Sequence, residues 1–136
     1  MEQCIFCKII KGEMPSYKIY EDNDIFVMLD INPVTPGHIL VLPKKHFEMF
    51  ETTDNEILSK MTIIAKEVGI KIKNILKSGG FNININNGKL AGQEIMHTHF
   101  HVLQRFDGDG IKLWPANENE KQKVEKIYQT IINNIN

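Results

Sequence analysis

The segment His97-Thr98-His99-Phe100-His101-Val102-Leu103 sets an imidazole at every second position and holds three of the five histidines in the chain. On a β-strand alternate side chains share a face, about 6.6 Å apart, so the three rings should form one row with Thr98, Phe100 and Val102 turned to the core. A polar strand face with solvated histidines is the plain reading. Three imidazoles in one row exceed what such a face needs, because protonating them together builds repulsion into a small area. Two kinds of chemistry suit the spacing. A His-x-His pair can chelate a catalytic zinc ion. Alternatively, one ring is a nucleophile and its neighbours are proton donors, since imidazole with a pKa of about 6.5 keeps a free lone pair near neutral pH. Attack on phosphorus would then give a phosphoramidate that water can cleave.

Cys4 and Cys7 are the only cysteines. In a reducing compartment this spacing suits a metal or redox centre better than a structural disulfide, and no thioredoxin-like βαβ pattern surrounds it. Met1 to Lys8 lacks the basic segment of a secretion signal, and no stretch reaches the roughly 18 apolar residues of a membrane helix. The expected compartment is the cytoplasm, with no membrane partner. A formal net charge of -1 offers no basic field for a nucleic acid polymer. Backbone N–H groups can still hold a small anion. With 136 residues, 42% of them hydrophobic and 24% charged, the chain reads as a single globular domain over 1–136.

The elements that must position these residues follow from periodicity. Tyr17 to Leu29 holds two short β-like runs around Glu21-Asp22-Asn23-Asp24, and His38 to Leu42 reads as a buried strand ended by Pro43. Thr53-Asp54-Asn55-Glu56 has the form of a capping box opening a long helix to Lys77, with Ile57, Met61, Ile64, Val68, Ile72 and Ile75 on one stripe. Gly79-Gly80 should stop it. Phe81, Ile83 and Ile85 alternate with asparagines on a strand from Phe81 to Asn86, a loop over Asn87 to Gly92 follows, and a further strand is expected from Glu94 to Gln104. A C-terminal helix is expected from about Asn117 to Ile132. The order βββ-α-ββ-α implies an α+β fold with a mainly antiparallel sheet, one long helix and a C-terminal helix.

The triad resembles the His-φ-His-φ-His-φ-φ signature of the histidine triad (HIT) superfamily, with Thr98 at a position that is usually apolar. The resemblance runs through Ile5 to Ile10, Leu29 to Pro33, Pro36 to His46, Asn86-Asn87-Gly88, Gly92-Gln93-Glu94 and Trp114-Pro115, and points to the Hint-like branch. It implies a nucleotide hydrolase acting at the α-phosphorus through a nucleotidyl-histidine on His99. His101 would assist the leaving group and His38 would steady His99. Asp30 would accept the ribose hydroxyls, a diol suiting two carboxylate oxygens. Phe6, Ile9, Leu29 and Ile31 would wall a purine base, while Asn86, the Gly92-Gln93-Glu94 turn, His99 and His101 would surround the phosphate. Cys4, Cys7, His46 and His97 would hold a structural zinc ion. The resemblance also implies a homodimer with the sheet continued across a two-fold axis, and Leu58, Ile63 and Ile70, off the main helix stripe, suit a second contact.

Three residues depart from the family pattern. Thr98 and Glu94 stand where apolar and hydroxyl residues are usual; the Glu94 carboxylate should face away from the phosphate. Gln104 replaces a common proline and is expected to matter little. Two other classes remain open: a nucleotide-binding or protein-interaction module with little activity, and a zinc hydrolase whose triad holds the metal. The Cys pair offers a better closed metal site and counts against the latter.

Overall fold

Strands β2 (Ile25–Leu29) and β3 (Ile39–Pro43) are almost unbroken apolar runs, as expected where both faces of a strand are covered. The computed structural model, which describes residues 3–135, shows this arrangement. Ile25, Val27, Ile39 and Val41 face the long helix α2 (Asn55–Leu76) and pack with its Met61, Ala65 and Val68. Phe26, Met28, Leu40 and Leu42 face the other way, onto Phe6 of the short helix α1 (Ile5–Ile10). Burying each such side chain contributes about 1.5–3 kcal/mol, so the two small cores together fix the central strands.

The sheet runs β1-β2-β3-β5-β4, every pair antiparallel, with β1 at Lys18–Glu21, β4 at Gly80–Ile85 and β5 at Phe100–Arg105. The α+β expectation is met. Opposite His101 lie Leu40 on β3 and Asn84 on β4, which sets this imidazole on the α1 side of the sheet. Phe100 and Val102 join the α2 core.

Four local expectations need correction. First, β5 begins at Phe100 and not at Glu94. Over residues 94–99 the chain leaves the ladder: His97 N–H donates to Ile95 O, and Thr98 N–H to Phe47 O. The three histidines therefore do not share one strand face. Second, there is no capping box at Thr53. Asp54 is the N-cap of α2 and makes no side-chain cap bond. The buried Thr53 hydroxyl lies 2.8 Å from Met49 O and 2.8 Å from the Thr98 hydroxyl, which also explains a polar residue at position 98. Third, the helix stops with Lys77 in the left-handed region at φ 55°, two residues ahead of Gly79-Gly80.

Fourth, the C-terminal helix is two pieces, α3 (Glu118–Lys121) and α4 (Val124–Ile132). Residues 112–135 are exposed throughout, including Trp114, so this segment covers neither α2 nor the sheet.

Gln104 also behaves differently from expectation. It is fully buried; its amide donates to Gly69 O at 3.2 Å and its carbonyl accepts from the Ser78 hydroxyl. At Gly69 a Cβ would sit 2.6 Å from the Phe81 ring, so α2 crosses the sheet at a point where only glycine fits, and Gln104 ties the two together there. Among the described residues no helix is long and apolar enough to cross a membrane.

Candidate active site

Two clusters of imidazoles sit side by side on the α1 side of the sheet. In the first, Cys4, the N-cap of α1, and Cys7, one turn on, share a helix face. Both thiols are free, and they meet His46, on the loop after β3, and His97. His97 Nδ1 lies 3.5 Å from Cys4 Sγ, 3.6 Å from Cys7 Sγ and 3.2 Å from His46 Nδ1, while Cys7 Sγ lies 3.3 Å from His46 Nδ1. Tetrahedral zinc, with Zn–N near 2.0–2.1 Å and Zn–S near 2.3 Å, separates its donors by roughly 3.3–3.8 Å. The tautomer agrees. Pro43 O can only accept, so His97 Nε2 carries the proton donated to it at 2.8 Å, and the Nδ1 lone pair points at the thiols. The donor set fits a closed Cys₂His₂ zinc site.

The second cluster is ordered by different partners. Val34 N–H donates to His38 Nδ1 at 3.1 Å, which places the proton of a neutral His38 on Nε2. Nε2–H then donates to His101 Nδ1 at 2.8 Å, so His101 carries its own proton on Nε2, a buried atom with no hydrogen-bond partner among the described residues. Asp30 Oδ2 lies 3.5 Å from His38 Nε2, and Asp30 Oδ1 accepts from Asn32 N–H at 2.8 Å. Asp30, His38 and His101 are close enough to chelate a metal. With Val34 N–H fixing its Nδ1, His38 turns the Nε2 proton and not a lone pair toward Asp30 and His101, which disfavours a metal among the three.

His99 bridges the clusters. Its Nδ1–H donates to the His97 carbonyl at 2.6 Å, leaving the Nε2 lone pair unbonded. The His99 ring lies 4.9 Å from that of His101 and meets the edge of Phe6 at 5.1 Å. Burial holds His38, His97, His99 and His101 below the ordinary imidazole pKa. His101 falls to about 4, with His99 and His38 adding repulsion to the burial, and His97 also falls to about 4. His38 and His99 are lowered as well, chiefly by burial, with Asp30 opposing. At neutral pH these rings are neutral; the Nε2 lone pair of His99 is free, while the Nδ1 lone pairs of His38 and His101 accept hydrogen bonds.

His38, His99 and His101 open on a cavity of about 530 Å³, a size suited to a nucleotide-scale ligand. The structure brings together at this cavity Phe6, Ile9, Leu29, Asp30, Ile31, His38, Asn86, Gly92, Glu94, His99 and His101. Gly92 has φ 91°, and a Cβ there would press to 3.3 Å on the Asn86 amide, which donates to Gly92 O at 3.1 Å. Gln93 is not part of the lining. Its buried side chain accepts from Gly88 N–H and donates to Glu48 O and Ile95 O, cross-tying the loop instead. Sequence reasoning missed the far rim, Met14, Pro15 and Ser16, and the helical state of α1. The apolar i, i+4 pairs Ile5/Ile9 and Phe6/Ile10 were a usable signal for that helix.

The HIT domain family model matches residues 11–108. The chain is 37% identical to adenosine 5'-monophosphoramidase HNT1 of Saccharomyces cerevisiae, over 95% of this chain and 80% of that protein. It is 41% identical to adenylylsulfatase HINT3 of Arabidopsis thaliana, over 78% of this chain and 54% of that protein. Among solved structures, a Zn-bound histidine triad family protein from Mycobacterium smegmatis superposes with a TM-score of 0.79 at 36% identity, covering 88% of this chain and 87% of that one. The fold and the site define a histidine triad domain, and the chain belongs to the HIT family.

Proposed function

We propose that the chain is a nucleotide hydrolase or nucleotidyl transferase that cleaves at the α-phosphorus through a nucleotidyl-His99 intermediate. The observation that carries this reading is the pair of opposed tautomers: a free Nε2 lone pair on His99 beside a buried, unpartnered Nε2–H on His101. His99 Nε2 attacks phosphorus, the bond to the leaving group breaks, and the departing atom is hydrogen-bonded by His101. Water then cleaves the phosphorus–nitrogen bond, restoring His99 and supplying, in net, the proton the leaving group carries away.

Asp30 accepts the ribose hydroxyls and Phe6, Ile9, Leu29 and Ile31 wall a purine base, the cavity lining being the support. The names of two relatives, an adenosine 5'-monophosphoramidase and an adenylylsulfatase, support a nucleoside phosphoramidate or an adenylate as substrate, and a dinucleoside polyphosphate presents the same α-phosphorus. Structural zinc in the Cys₂His₂ site, a thiolate centre, suits a reducing cytoplasm. In the test, His99→Ala should abolish turnover by several orders of magnitude while AMP still binds. Mass spectrometry of a quenched wild-type reaction should find a nucleoside monophosphate on His99. Near wild-type kcat in the variant would refute the mechanism, and wild-type binding without turnover would favour a binding module.

A homodimer belongs to the same proposal. Ile63 and Ile70 on α2 and Ile83 on the outer strand β4 are exposed, and the C-terminal segment leaves them so. Leu58 packs against the core and gives no support. Light scattering should report about twice the 15.7 kDa chain mass; a monomer at micromolar concentration would rule the dimer out.

A further inference from the structure

We propose that α1 and His97 together couple the Cys₂His₂ site to the nucleotide cavity. The inference rests on the nucleotide reading above. It starts from α1, a six-residue helix. Isolated helices shorter than roughly 12–15 residues are marginal, so this one depends on its attachments. Different faces of α1 and its N-cap look onto two sites. Cys4 and Cys7 enter the metal cluster, whereas Ile5, Phe6 and Ile9 line the cavity.

His99 is then held by one residue of the metal cluster and by one residue of α1 that lies between its two cysteines. From one side the carbonyl of His97 accepts from His99 Nδ1–H at 2.6 Å. From the other, the Phe6 ring, between the two cysteines in sequence, stands edge-on to both His99 at 5.1 Å and His97 at 5.8 Å. His97 itself is fully buried, and apart from the cluster its ring makes one hydrogen bond among the described residues, from Nε2–H to Pro43 O. A metal joining Cys4, Cys7, His46 and His97 would cross-link α1 to residues 46 and 97. It would therefore fix the carbonyl that sets the His99 tautomer and the wall that receives the base. Coupling of this kind is reciprocal: whatever zinc adds to nucleotide affinity, the nucleotide adds to zinc affinity.

The test uses AMP and the full chain. Calorimetry on zinc-loaded and zinc-stripped protein should show AMP binding weakened by about fivefold or more on stripping, within the usual range of coupling between sites. Equal AMP affinity in two folded forms would overturn the coupling and leave the nucleotide reading standing. Absence of AMP binding to either form would overturn both. Because the stripped chain can lose its fold, a second measurement keeps the site filled. Cadmium, larger than zinc, is exchanged into the thiolate site, and the Nδ1–H resonance of His99 is followed by NMR. A shift of that resonance between the zinc and cadmium forms, with the indole N–H of exposed Trp114 unmoved, is the expected result. An unchanged His99 signal would overturn the proposal.

Discussion

His97 and His38 are the same side chain put to opposite uses, and the difference lies in one backbone partner. Pro43 offers His97 a carbonyl, which takes the Nε2 proton and leaves a lone pair aimed at two thiols. Val34 offers His38 an N–H, which occupies Nδ1 and leaves a proton aimed at His101. The first cluster converges lone pairs on a point, as a cation requires. The second strings donors and acceptors in a line, as proton handling requires. Counting histidines does not separate these outcomes; reading which backbone groups face each ring does.

If the first cluster is a metal site and the second is not, substitutions in each should fail in different currencies of measurement. The largest effect belongs to the metal. Cys7→Ser should lose the bound zinc and several kcal/mol of stability, because metal binding adds to folding free energy. Elemental analysis and thermal unfolding of untagged protein report both. A zinc-free wild-type preparation of unchanged stability would erase the distinction between the clusters.

A smaller effect is expected at His38, on turnover and not on metal content. His38→Ala should lower kcat by about 10²-fold, the lower end of what a positioned proton-handling group contributes. His38→Gln retains a side-chain N–H able to donate to His101 Nδ1 and an oxygen able to face Val34, so it should recover much of that loss. If glutamine restores nothing, the His38–His101 hydrogen bond is not what orients His101. Zinc content should be unchanged in both variants, and a change would show that the clusters are one unit.

How much of this division was legible in the chain follows from the same residues. The His-x-His-x-His spacing and Cys4-x-x-Cys7 are local in sequence and name the chemistry directly. Their arrangement is not local. Alternation on a strand placed the three imidazoles in a row, but residues 94–99 follow Phe47 and Ile95 instead of a neighbouring strand, and His97 turns away to the thiols. The apolar runs at Ile25–Leu29 and Ile39–Pro43 declared their strands because burial on both faces demands it. The capping box failed because Thr53 is recruited by Thr98, 45 residues on, a contact that no local pattern contains. Gln104 reads as a neutral replacement until Gly69 and Ser78 are seen to meet it. The C-terminal helix was visible as an amphipathic period, yet periodicity does not say what a helix face packs against, and α4 packs against nothing in its own chain's core.

The smallest effect tests where the second cluster ends and the nucleotide begins. Asp30 lies 3.5 Å from His38 Nε2, so it belongs to the proton line by distance and to the ribose site by its place on the cavity wall. These roles separate with the ligand. Asp30→Asn keeps an oxygen to accept from Asn32 N–H, which preserves the turn. If the carboxylate binds the diol, this variant should weaken AMP by about 1.5 kcal/mol, the lower end for a hydrogen bond to a charged acceptor, and should leave a 2′,3′-dideoxy analogue nearly unaffected. Both affinities can be measured by calorimetry on the zinc-loaded chain. Should Asp30 act instead through His38, the two ligands would bind with equal small losses and kcat would carry the effect, moving Asp30 from the binding wall into the line of imidazoles.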